Sequence, residues 1–239
     1  MFTSDRTDIR AFARRIAPIL ALTATIAGSG CHNSPTGADN DFGANDLSVI
    51  VALGDSITFG VLDTNVETCD ESNRGAGGFC PVLQSLSGKT VINEGICGEE
   101  SDGGVERING VLFRWRPSVI LLDYGANNLI FGAESIISDL RIMIAAARAN
   151  STVPVIGTLL PAVGPEAGLA SGIARTNTQI LELCAEQKLV CADHYKAFVN
   201  DRDFQASPFA LLSDDGLHPN HAGYALMAKT WRDALKRVY

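Results

Sequence analysis

Two segments of this 239-residue chain carry residue types that could cleave an acyl bond. Ser56 follows an apolar run directly, in Leu53-Gly54-Asp55-Ser56, and His218 follows a carboxylate by three positions, in Asp215-Gly216-Leu217-His218. A serine hydroxyl is a weak nucleophile until a base accepts its proton, and an imidazole is an effective base when a carboxylate fixes its tautomer. Asp215 and His218 are spaced to meet on one turn, just before a helix that Pro219 helps to start. Each segment alone has a plainer reading: Gly-Asp-Ser is also an ordinary turn or N-cap, and Asp215 could cap the following helix beside a surface histidine. Asp214 is the second choice of orienting acid. Among the other histidines, His32 lies in a polar stretch, His194 ends an expected strand, and His221 has no acid three residues before it. No metal site is expected, because the chain has neither HExxH nor a CxxC pair. Ser87-Gly88-Lys89-Thr90 is not a phosphate loop, since Leu83 stands where the motif requires glycine.

Two further segments lie between these: Asn93-Glu94-Gly95-Ile96-Cys97-Gly98-Glu99-Glu100-Ser101 and Tyr124-Gly125-Ala126-Asn127-Asn128. With all four in this order, the chain resembles the SGNH, or GDSL, hydrolase family of lysophospholipase- and arylesterase-like lipase-acylhydrolases over nearly all of 47–239. The resemblance implies a three-layer α/β/α fold around a flavodoxin-like, parallel five-stranded sheet. It implies Ser56, Asp215 and His218 as the catalytic residues, and an oxyanion hole made by the Ser56 and Gly98 N–H groups and the Asn127 amide. The implied reaction is hydrolysis of lipid, aryl or acetyl carboxylic esters through an acyl-enzyme, with no cofactor. Alternatives are an acetyl esterase or transferase acting on polysaccharide, and a non-catalytic, surface-tethered binding module. Two positions depart from the family's usual pattern. Asn128 stands where an acid commonly follows the asparagine, and Glu99-Glu100 where Asp-Thr is typical, so the bonds that hold these loops are expected to differ.

Positioning these residues requires strands whose ends lie together. Apolar runs at 47–53, 90–93, 118–124, 154–160 and 189–192 alternate with helical patterns at 79–86, 105–115, 133–149, 170–186 and about 220–237, which predicts an α/β domain with a parallel sheet. In such sheets ligands bind at the carboxyl ends of the strands. No internal repeat or second domain is evident, and 47–239 is read as one catalytic domain.

The start of the chain reads as an export signal over 1–30. Arg6, Arg10, Arg14 and Arg15 precede an apolar run of 16–27, which is shorter than the roughly 20 residues that span a bilayer. Ala27-Gly28-Ser29-Gly30-Cys31 resembles the lipobox of bacterial lipoproteins, making Cys31 the expected lipidation site, a membrane anchor, and 31–46 a polar flexible tether. The expected location is outside the cytoplasm: periplasmic, lipid-anchored or secreted. A net charge of −8 argues against nucleic-acid partners, leaving a small-molecule, lipid or glycan ester as the partner. An oxidising compartment permits disulfides. Cys69–Cys80 and Cys184–Cys191 are the expected pairs, with Cys97 left as a free thiol; a bond from Cys97 into the 69–80 loop is the alternative.

Overall fold

The computed structural model describes residues 40–239, except Asn65. In chain order the elements are β1 (Asp46–Gly54), α1 (Ser56–Phe59), α2 (Phe79–Ser87), β2 (Thr90–Gly95), α3 (Ser101–Trp115), β3 (Pro117–Asp123), α4 (Ala126–Phe131), α5 (Ile136–Ala149), β4 (Val153–Gly157), α6 (Ala170–Gln187), β5 (Val190–Ala192), α7 (His194–Val199), α8 (Arg202–Ala206) and α9 (His221–Leu235). The strands pair in parallel in the order β2-β1-β3-β4-β5, the flavodoxin-like order.

Alternation along each strand builds two cores. Ile50, Ala52, Val119, Leu121 and Val155 face one side and pack with Phe79, Leu83, Met227 and Trp231 of α2 and α9. Val51, Leu53, Ile120, Leu122 and Ile156 face the other and pack with Ile108, Leu140, Ile144 and Ile180 of α3, α5 and α6. β3 is buried along its whole length, and its middle, Val119 to Leu122, is an unbroken apolar run, as in a central parallel strand.

Several element boundaries differ from expectation, two of them with a clear cause. β4 stops at Gly157 because α6 takes over the next backbone groups: Asn177 Oδ1 accepts from Leu159 N–H at 2.7 Å, and Asn177 Nδ2 donates to Leu159 O at 2.9 Å. α3 starts at Ser101, four residues earlier than the apolar pattern suggested. Gly103 and Gly104 hide that first turn from a propensity reading; at Gly104 a side chain would collide with the Tyr124 ring.

The signal segment expected over 1–30, Cys31 and residues 32–39 of the tether lie outside the described residues. Residues 40–46, grouped with the tether on composition, are held on the domain. Asn40 Nδ2 donates to Val238 O at 3.0 Å, Phe42 stacks on Tyr239 with centroids 5.8 Å apart, and Asn45 Nδ2 donates to Asn150 O at 2.8 Å. Side-chain amides do most of this work, so the polar composition gave no sign of it.

Candidate active site

Strand register brings three of the four segments together. Gly54, the last residue of β1, is paired with Gly95 at the end of β2 and with Asp123 at the end of β3. The chain therefore leaves all three strands at one level, and Ser56, Gly98 and Asn127 lie two, three and four residues beyond it. Gly54 permits this crowding, because a Cβ there would run into Thr58 Oγ1 and the Asp123 carbonyl.

Ser56 is the first residue of α1, whose N-cap is Asp55: Asp55 Oδ1 accepts from Ile57 N–H at 2.9 Å. The fourth segment reaches the same point from just before α9. Ser56 Oγ lies 2.8 Å from His218 Nε2, and His218 Nδ1 lies 2.6 Å from Asp215 Oδ2. Asp215 Oδ1 accepts from the backbone N–H groups of Leu217 and His218, both at 3.0 Å. Asp215 thus closes its own turn and does not cap α9. Asn220 is the cap, accepting from Ala222 N–H at 3.0 Å and Gly223 N–H at 3.2 Å. Burial pushes the Asp215 carboxyl up, but its bonds to His218 and the two backbone N–H groups outweigh this and hold it below the ordinary carboxylate range. Asp214 is exposed and outside this chain of contacts.

Gly98 sits in an exposed turn with φ +75°, a conformation that suits glycine. Among the described residues, neither its N–H nor that of Ser56 has a hydrogen-bond partner. The Asn127 amide is oriented: Nδ2 donates to Glu99 O at 3.0 Å and, at 3.3 Å, to Asp55 Oδ2. The two departures from the family pattern are accounted for locally. Asn128 Oδ1 accepts from Ser101 N–H and Nδ2 donates to Ser101 Oγ, both at 3.0 Å, and Ser101 Oγ donates to Asp139 at 2.6 Å. Glu99 turns its carboxylate to Arg107 and Tyr124.

Features not foreseen from the sequence also surround the serine. Asp55 and Asp123 are both buried. Burial pushes Asp55 up to about 6 against the pull of Ile57 N–H and His218; burial and the neighbouring Asp55 push Asp123 up to about 8. The signal was present, since Asp123 ends an otherwise apolar strand. His221, set aside for want of a local acid, meets Asp63 at 2.9 Å across 158 positions. A narrow apolar cleft, with room for about one water-sized group (about 10 Å³), runs beside Asp55 and Asp123 between Ile57, Ala126, Leu129, Leu159, Leu169 and Leu217.

One cysteine expectation is corrected. Cys69 bonds to Cys97, with Cα atoms 6.1 Å apart, and Cys80 is the buried free thiol. Cys80 lies in the first turn of α2 and points into the core with Phe79 and Leu83, whereas Cys97 faces the loop from the turn that carries Gly98. Cys184 and Cys191 are paired as expected. Among the described residues no cluster of metal-ligating side chains is present, and no helix is long and apolar enough to cross a membrane.

The chain matches the GDSL-like lipase/acylhydrolase family over residues 52–226. Among solved structures it is similar to the lipase/acylhydrolase from Enterococcus faecalis, at 25% identity and TM-score 0.63, covering 80% of this chain and 96% of that one. It is also similar to a member of the lipolytic protein G-D-S-L family from Veillonella parvula DSM 2008, at 22% identity and TM-score 0.63, covering 79% and 98%. A GDSL-like lipase from Bacteroides thetaiotaomicron VPI-5482 shares 19% identity at TM-score 0.63, covering 80% and 89%. A comparison with curated protein sequences found no match.

Proposed function

Because the chain belongs to the GDSL-like lipase/acylhydrolase family and is thus expected to be an ester hydrolase, we propose that it cleaves carboxylic esters through an acyl-enzyme on Ser56. The observation that carries this reading is the unbroken contact from Ser56 Oγ through the His218 ring to Asp215. His218 Nε2 takes the hydroxyl proton as Oγ attacks the ester carbonyl, and Asp215 stabilises the imidazolium that forms. Charge collects on the carbonyl oxygen, where the Ser56 and Gly98 N–H groups receive it together with the Asn127 N–H that exchanges its long contact to Asp55 for the oxyanion. His218 then gives its proton to the departing alcohol. Water, activated by the same base, cleaves the acyl-enzyme and regenerates Ser56.

The substrate proposed first is an ester of a short acyl chain, acetyl above all, on a small alcohol, lipid or glycan. The support is the narrow apolar cleft beside Asp55 and Ile57, next to Ser56 in the chain, which has room for only about one water-sized group. We further propose that residues 1–30 direct export and that Cys31 is lipidated. Two disulfides in the described domain fit an oxidising compartment, and palmitate labelling of native protein but not of Cys31→Ser would support the anchor.

The deciding experiment is turnover of p-nitrophenyl acetate by native protein and Ser56→Ala, with fluorophosphonate labelling of both. Loss of turnover and of labelling in a folded Ser56→Ala variant is expected. Undiminished turnover would remove Ser56 from the reaction.

A further inference from the structure

The three segments proposed to face the oxyanion have no covalent link to one another near the site, since the Cys97 disulfide runs to Cys69, so their mutual positions depend on what bridges them. One guanidinium does so. Arg107 projects from α3, and its Nη2 lies 3.3 Å from Gly54 O, 2.7 Å from Glu94 O, 2.8 Å from Tyr124 Oη and 2.6 Å from Glu99 Oε2. Its Nε donates to Glu99 Oε1 at 2.8 Å. Gly54 is two residues before Ser56, Glu94 and Glu99 bracket Gly98, and Tyr124 is three residues before Asn127. Tyr124 closes the figure by donating its hydroxyl proton to Glu99 Oε2 at 2.6 Å. Glu99 passes the constraint to the oxyanion donor itself, because its carbonyl accepts from Asn127 Nδ2.

We infer that Arg107, acting with Glu99 and Tyr124, is the positioning centre of the oxyanion hole, holding the Ser56, Gly98 and Asn127 segments in register. The inference rests on the esterase reading above. It also explains why Glu99 is accommodated where the family usually has another residue: the longer side chain reaches the guanidinium and the phenol together. Without Arg107, Glu94 would still have Trp115 Nε1 at 2.6 Å and the charges of Arg74 and Arg114. Glu99 would keep only the Tyr124 hydroxyl among its side-chain partners. Its largely buried carboxylate would then turn to solvent, drawing its own carbonyl away from Asn127.

A guanidinium that merely supported the fold would give a different pattern in the following test. Active sites of native protein, Arg107→Met, Arg107→Met with Glu99→Gln, and Tyr124→Phe are counted by fluorophosphonate titration, and kcat and KM for p-nitrophenyl acetate are measured per titrated site. Displacement of about 1 Å at a reacting centre can cost about a hundredfold. Arg107→Met should therefore lower kcat per site by about tenfold to a hundredfold with KM changed less than about threefold. The double variant, which has no unpaired carboxylate, should regain thermal stability without regaining kcat. Native-like kcat per site in the double variant would overturn the inference. If neither Arg107 variant folds, Tyr124→Phe decides: a fall of about threefold or more in kcat supports positioning, and an unchanged kcat refutes it. Absence of turnover in native protein, or its survival in Ser56→Ala, would instead refute the esterase reading and this inference with it.

Discussion

Asn127 shows how much a single side chain must do here. One N–H of its amide donates to the Glu99 carbonyl at 3.0 Å, which sets the amide's direction before any substrate arrives. The other, at a long 3.3 Å from the buried Asp55 carboxyl, is the one left to turn to the oxyanion. Donors fixed in advance cost no reorganisation when charge develops, and removal of one such donor typically costs about a hundredfold or more in kcat. Asn127→Ala should therefore lose about that factor in kcat while KM stays within a few-fold, as steady-state kinetics on p-nitrophenyl acetate would show. Asp215→Asn should lose more, about ten-thousandfold, because an amide at that position favours the wrong imidazole tautomer. An Asp215→Asn variant of near-native rate would mean that His218 is oriented by other groups. Asp214, exposed beside it, tolerates substitution on the same reasoning.

The elements explain which parts of this arrangement could be read from the sequence. Apolar runs marked all five strands, and Gly-Asp-Ser and Asp-x-x-His are local signals, but their meeting across 162 positions was implied by the family resemblance and not by spacing. Long-range side-chain bonds were not legible: Asn177 ending β4, Asn128 holding the start of α3, and His221 finding Asp63 all join residues far apart in the chain. The Cys69–Cys80 pairing failed for the same reason, since those two are neighbours in sequence while the turn after β2 brings Cys97 to Cys69; Cys184–Cys191, a local pair, was legible. Loop-closure entropy puts a crosslink over the 28 positions of Cys69–Cys97 at about 3–4 kcal/mol and one over the 7 positions of Cys184–Cys191 at about 2–2.5 kcal/mol. Melting curves should accordingly show a greater loss for the Cys69→Ser, Cys97→Ser pair than for Cys184→Ser, Cys191→Ser. The apolar cleft is also built by elements, with Leu129 on α4 and Leu169 just before α6 closing it. Leu129→Ala and Leu169→Ala should each move the preferred p-nitrophenyl ester from two carbons toward four to six. An unchanged chain-length profile would place the acyl group elsewhere.

For the molecule as a whole, the buried pair under the serine sets how stability depends on pH. Asp55 and Asp123 ionise in the unfolded chain near the ordinary 3.8, but in the folded chain they are pushed up to about 6 and about 8. Between pH 4 and 8 the folded state therefore holds protons that the unfolded state has released, and stability falls as pH rises. His194 works in the opposite direction at the acid end. Buried and neutral, it is held down to about 3, so protonation of the unfolded chain below about pH 6.5 favours unfolding. Asp215 and Asp63, held below the usual range, likewise lose their contribution only on acidification below about pH 4. Above pH 6.5 the aspartate pair acts without this opposition, and native stability should decline toward pH 8. Asp123→Asn removes the charge while leaving an oxygen to accept from Thr58 Oγ1, which lies 3.4 Å from the carboxylate. At about 1.4 kcal/mol per pKa unit, the variant should exceed native stability by on the order of a few kcal/mol at pH 8. The two should converge near pH 4, where the native carboxyl is protonated and resembles the amide. Denaturant titrations at pH 4, 6.5 and 8 test this directly, and parallel curves for the two proteins at all three values would show that Asp123 titrates alike in the folded and unfolded chain.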